Sequence, residues 1–345
     1  MQIFTCPACK APLYFQNTTC GCGAEVAFDP ERQAFTAEGT FCAHRSDIGC
    51  NWLAEGGELC RSCAMTEVVP DLRAPDNLPL WSDTELAKRW MLANLGRWGW
   101  FTDADPGERP VFKLLSEDTA GGEIPVTMGH ESGTITINVS EAQQSVRAER
   151  QENMGELYRT MIGHMRHEIA HFLFERLADV PGAEEHFLAA FRELFGDERE
   201  DYGAALQRHY AGPKPADETH ITSYATSHPH EDWAETIAHL LHLVDLADSA
   251  AAVGLSLKSG EALPQRRGMF RRKSDPAPAA TDAYAETDTE ALLTRAVDLT
   301  IAVNHVNRTM DLPDLYPFVL PQGVRDKLAF AHRAVRQVPG EAGEA

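Results

Sequence analysis

All eight cysteines of this chain lie before residue 64: Cys6, Cys9, Cys20, Cys22, Cys42, Cys50, Cys60 and Cys63, and none follows up to residue 345. A distribution that uneven divides the chain. The first part is organised by thiols, and the second must fold without them. Cys6-Pro-Ala-Cys9 and Cys20-Gly-Cys22 each bracket small or turn-forming residues. Such turns aim backbone N–H groups at sulfur and bring two thiolates to one ion, and four thiolates close a tetrahedral structural zinc site. Cys42, Cys50 and the Cys60-Arg-Ser-Cys63 pair can close a second. Sequential pairing is the simplest assignment, and interleaved pairing stays open. His44 is an available substitute ligand. The N-terminus, MQIFTCPACK, has no basic region followed by an apolar stretch, so nothing addresses the chain to an oxidising compartment. Clustered thiols then read as metal ligands, and their ribbon-like spacing favours zinc over iron. Residues 1–66 are expected to form a small zinc-ribbon domain with short strands around Tyr14, Phe15, Val26 and Phe28. A piece this short has too little core to fold without metal.

The cysteine-free part has its own organising stretch, Tyr158–Glu175, YRTMIGHMRHEIAHFLFE. His167 and His171 are four residues apart, which on a helix places them on one face, one turn apart. Glu168 stands beside them. Two imidazoles can ligate one ion, and the carboxylate can act as general base toward a water on it. Met161, Ile162, Met165, Ile169, Phe172, Leu173 and Leu177 repeat with helical period, and Pro181-Gly182 supplies a stop. Such a helix can hold the motif rigidly.

Between these parts, 67–80 is proline-rich and reads as a linker. A helix is expected from Trp81 to Gly96, capped by Ser82 or Asp83. Ile124–His130 and Thr134–Val139 alternate around the turn Glu131-Ser-Gly133, a hairpin that could pair with extended substrate. Helices are expected at 183–196, after Pro229, at 290–306 and at 324–335. Residues 258–289 begin with six Lys or Arg by Lys273, continue in Pro, Ala, Asp and Thr, and read as a disordered insertion. The tail, 339–345, is expected to fray.

A catalytic zinc takes a third protein ligand and keeps one position open. The helix after Pro229 offers Glu231 and Glu235, one turn apart. The stretch Tyr224-Ala-Thr-Ser-His-Pro-His-Glu231-Asp-Trp-Ala-Glu235 resembles the second motif of zincin peptidases of the lethal-factor and Pro-Pro endopeptidase type, in which a Tyr precedes the ligand Glu by seven residues. Over nearly its full length the chain resembles the bacterial zinc-binding metallopeptidases with an N-terminal zinc ribbon. The matching stretches are GCNWL, CRSC, ITINV, GHMRHEIAH, HPHEDWAE and DLPDLYPFVL. His230 departs from the aromatic expected there, a position that carries no ligand.

The resemblance implies His167, His171 and Glu231 as zinc ligands, Glu168 as general base and Tyr224 as hydroxyl donor to the oxyanion. Glu235 suits a partner of a ligand histidine and is the rival third ligand; His164 suits a supporting place behind the site. The expected fold is α+β: a mostly helical zincin-type domain with a small β-sheet over 81–338, preceded by the ribbon. The expected cofactor is Zn²⁺, one catalytic and two structural. The expected partner is a peptide or protein substrate, with the ribbons as a possible surface for a further protein. The alternative is a catalytically silent scaffold acting as an interaction module, against which an intact Glu168 and Tyr224 weigh. A net charge of −21, and only Lys10, Arg32, Arg45 and Arg61 as cations in the first 65 residues, argue against nucleic acid. No apolar run approaches membrane-spanning length. The expected location is the cytoplasm.

Overall fold

The structure, a computed structural model, describes residues 1–148, 160–257 and 282–338. In the cysteine-rich part, β1 (Phe4–Thr5) pairs with β2 (Pro12–Leu13), and β3 (Ala27–Asp29) with β4 (Ala34–Thr36), both antiparallel. These strands are too short to stand alone, and they pack around one ring. Phe28 is fully buried, with Phe4, Phe15, Phe35 and Trp52 at ring-centroid distances of 5.2–5.8 Å. Phe15 in turn meets Trp90 at 5.4 Å, on the first long helix (Asn77–Gly96). The apolar core therefore runs continuously from the ribbon into the helical part.

A four-stranded sheet follows in the order β5 (Thr66–Val68), β6 (Val111–Leu115), β10 (Thr134–Asn138), β9 (Gly129–Glu131). β5, β6 and β10 run parallel, while β9 is antiparallel to β10 and forms the edge. Parallel neighbours need a crossover, and the Asn77–Gly96 helix supplies the one between β5 and β6. Phe112 and Leu114 face the same side as their register partners Ile135 and Ile137, and all four are fully buried. β9 and β10 are joined through Ser132 (φ 47°) and Gly133 (φ 77°), the two left-handed residues that a tight right-twisted hairpin requires.

The remaining chain is helical. The motif helix (Met161–Ala178) starts at Thr160, whose hydroxyl accepts from Gly163 N at 3.0 Å. Glu184–Leu188 makes a π-turn that runs into Ala189–Phe195. Tyr202–Ala211 starts at Asp201, and the glutamate helix (Pro229–Ala252) at His228 with Pro229 in its first turn. Thr289–Thr309 and Gln322–Val335 complete the fold. Trp233 on the glutamate helix is fully buried among Phe174, Phe187, Phe191, Phe195 and Phe330, and its indole N–H donates to the Ala170 carbonyl at 2.8 Å. That bond locks the glutamate helix to the motif helix between His167 and His171. Among the described residues, no helix is long and apolar enough to cross a membrane.

Three local expectations change. The stretch expected as a linker, 67–80, contributes β5 and the opening of the first long helix. The helix starts at Asn77, whose buried amide donates to the carbonyls of Asp71 and Asp118 at 2.9 Å each. The expected hairpin is shorter, because Ile124–Met128 lie outside the strands and β7 (Asp118–Thr119) instead pairs with β8 (Gly122–Glu123). The expected insertion lies outside the described residues over 258–281, but 282–289 is ordered. There Asp282 pairs with Arg97, whose guanidinium lies 4.1 Å over the buried Tyr284 ring, and Asp288 caps the next helix. The tail, 339–345, also lies outside the described residues.

Candidate metal centres

The cysteines come together in chain order. The sulfurs of Cys6, Cys9, Cys20 and Cys22 lie within 4.8 Å of one another, as do those of Cys42, Cys50, Cys60 and Cys63. Individual S···S distances are 3.6 Å for Cys9–Cys20, 4.0 Å for Cys6–Cys22, 3.6 Å for Cys50–Cys60 and 3.7 Å for Cys50–Cys63. These are far too long for disulfides. They match the edge of a tetrahedron, about 3.8 Å, built on Zn–S bonds of about 2.3 Å. Backbone amides support the second quartet: Cys60 N donates to Cys42 Sγ at 3.3 Å and Cys63 N to Cys60 Sγ at 3.4 Å.

A third centre joins the motif helix to the glutamate helix. One ligand atom each from His167, His171 and Glu231 fall within 4.8 Å of one another. Glu231 Oε2 lies 2.9 Å from His167 Nε2 and 3.6 Å from His171 Nε2. The carboxylate is buried, while both imidazoles keep a small exposed edge. Two imidazole nitrogens and one carboxylate oxygen, held from two packed helices, form a donor set that fits a zinc ion. Glu235 stands behind it, with Oε1 2.8 Å from His167 Nδ1. It meets the far side of the ring while Glu231 meets the near side, so of the two glutamates only Glu231 is in the converging set.

Glu168 is 8 % exposed, and its Oε2 has no hydrogen-bond partner among the described residues. Burial raises its pKa, against the opposing pull of His167 and His171. Tyr224 sits on a short turn (Tyr224–Thr226), its ring 5.9 Å from that of His167. Burial, then the charge of Glu231, raises the pKa of this phenol, so it stays protonated as a donor. His164 is placed against Glu141, Nε2 to Oε2 2.7 Å, and near Glu168 rather than on a ligand imidazole.

Further residues reach the site without having been read from the sequence. The Tyr202 hydroxyl donates to Glu231 Oε1 at 2.5 Å. His130, on the edge strand β9, lies parallel to His171 at 6.2 Å and is pushed down to about 4 by burial, which keeps it neutral. His209 places its ring 5.7 Å from Tyr224. None of these has a motif spacing to the ligands. The alternation around His130 was visible, but the approach of β9 to the motif helix is a tertiary fact.

The family model described as "Putative zinc-binding metallo-peptidase" matches residues 77–334, and a zinc-ribbon domain model matches residues 3–74. The chain is 36 % identical over 359 aligned positions to uncharacterized proteins of Mycobacterium bovis and of two strains of Mycobacterium tuberculosis, covering 98 % of this chain and 96 % of each relative. No solved structure matches it.

Proposed function

We propose that this chain, which belongs to the zinc-binding metallo-peptidase family, is a zincin-type peptidase that hydrolyses amide bonds in peptides or proteins. The observation that carries this is the convergence of His167, His171 and Glu231 beside a buried Glu168, whose Oε2 has no hydrogen-bond partner among the described residues. A zinc ion held by the three ligands supplies Lewis acidity, lowering the pKa of a water and polarising the scissile carbonyl. Glu168 takes the proton of the attacking water and hands it to the leaving amine. Tyr224, protonated, donates to the oxygen on which negative charge develops. Extended substrate lies along β9, the edge of the four-stranded sheet, which has no strand on its outer side among the described residues.

The test is digestion of a proteome-derived peptide library by the wild type and by Glu168→Gln. Glu168→Gln keeps the three ligands and removes the base, so cleavage should fall by about 10²–10⁴-fold with metal content unchanged. An active variant would remove Glu168 from the chemistry. A wild type that holds its metal yet cleaves nothing would favour the silent scaffold.

A further inference from the structure

We propose that Tyr202 is a positioning residue for the third metal ligand, fixing which oxygen of Glu231 faces the two imidazoles. The inference rests on the peptidase reading of the site. A carboxylate with two equivalent oxygens can turn about its last bond and offer either one or both to an ion. Here the two are not equivalent. Oε2 of Glu231 is 2.9 Å from His167 and 3.6 Å from His171, while Oε1 accepts from the Tyr202 hydroxyl at 2.5 Å. One oxygen is therefore committed to the phenol and the other is left for the metal. Glu231 is 1 % exposed, so water does not compete freely for Oε1.

The phenol is held in place at its own end. Its ring meets that of His228 edge-on at 5.2 Å. His228 starts the glutamate helix: its Nδ1 accepts from His230 N at 3.1 Å, which leaves the proton on Nε2, and that N–H donates to the Glu200 carbonyl at 3.1 Å. Residues 200–202 thus dock on the first turn of the glutamate helix at two points, Glu200 on the cap and Tyr202 on the ligand. The helix that follows gives little other attachment. Of its residues only Ala205 is buried, and Tyr202 itself is 43 % exposed. An exposed tyrosine whose hydroxyl reaches a buried carboxylate is placed for that carboxylate rather than for the core.

Partners that orient a ligand typically change metal affinity by about 10–100-fold when removed. The test is Tyr202→Phe in the full-length zinc-loaded protein, with zinc competed by a graded chelator. Expected is a 10–100-fold weaker hold on the ion lost first by His171→Ala, with the cysteine-bound zinc and the melting temperature unchanged. Replacing that ion by Co²⁺ should show a shifted visible spectrum in the variant, which a merely structural tyrosine would not produce. Equal zinc affinity and an unchanged cobalt spectrum would overturn the role of Tyr202. A wild type that retains only its cysteine-bound ions would instead overturn the peptidase reading, and this inference with it.

Discussion

Glu235 Oε1 lies 2.8 Å from Nδ1 of His167, one helical turn beyond the carboxylate that meets the same ring on its other side. A ring held through Nδ1 by the Glu235 carboxylate cannot turn freely. With Nδ1–H donated to Glu235, the lone pair of Nε2 is left facing the ion position. Glu235→Ala should therefore weaken zinc at the His-Glu centre by about 10–100-fold without removing a ligand. Glu235→Gln keeps an acceptor and should weaken it less. Isothermal titration with zinc after removal of that ion measures both. Complete loss in Glu235→Ala, equal to that in Glu231→Ala, would make Glu235 a direct ligand.

The three converging donor sets among the described residues lead us to expect three zinc ions in unchelated protein, leaving in two classes. The second cysteine quartet is wholly buried, and Cys6 and Cys20 of the first join it in a core that runs through Phe15 and Trp90 to the helices. The His-Glu centre lies at a partly open edge. His171→Ala should lose one zinc at little cost in melting temperature. Cys60→Ser should also lose one, but with a large drop, because a structural zinc site contributes folding free energy. Metal analysis alongside calorimetry separates the two. A wild type with only two ions would remove one of the proposed centres.

Trp233 couples the fold to the site. Its ring fills the centre of an aromatic cluster, and its N–H holds the Ala170 carbonyl between the two motif histidines. Trp233→Ala should cost about 3–5 kcal/mol through the cavity it leaves. Trp233→Phe retains most of the packing and removes the hydrogen bond, a loss of about 1–3 kcal/mol when the carbonyl is left short of a partner. Urea unfolding of both, with zinc affinity measured beside it, tests whether that bond also steadies the ligands. Wild-type stability in Trp233→Phe would show that the Ala170 carbonyl does not depend on it.

The residues read from spacing alone were those whose partners lie within one turn or one short loop. His167 and His171 share a helix face, and each cysteine quartet spans few residues. Glu231 sits 64 residues beyond His167, and resemblance reached it where periodicity could not. Tyr202 and His130 escaped both routes. A phenol in a polar helix and an imidazole on an edge strand carry no local mark of the buried groups they approach. Tyr284 shows the same limit in the fold. Its neighbours are Ala, Thr and Asp, a composition typical of disorder, and its order comes from the Arg97 and Trp98 side chains far earlier in the chain. The opening of the first long helix was hidden likewise, because Asn77 takes one of its two carbonyl partners from Asp118, far along the chain.

His332 gives the fold a specific acid sensitivity. It is fully buried on the Gln322–Val335 helix, bonded through Nδ1 to Thr289 Oγ1 at 2.8 Å, and its Nε2 has no partner among the described residues. Burial, and then the Arg336 charge, pushes it down from 6.5 to about 4. The folded state therefore keeps this ring neutral where the unfolded chain would protonate it. Its contribution is intact above pH 6.5 and is lost as pH falls toward 4, at about 1.4 kcal/mol per pH unit at the steepest. His332→Gln keeps an oxygen that can accept from Thr289 and removes the titration. Any stability lost by that exchange at neutral pH should narrow between pH 6.5 and 4, because the wild type declines faster there. His130 and His239, also held near 4 by burial, titrate in both proteins and cancel in the difference. Denaturant unfolding at half-unit pH steps measures that difference directly. Parallel declines in the two proteins would mean that His332 is protonated in the folded state as readily as in the unfolded one.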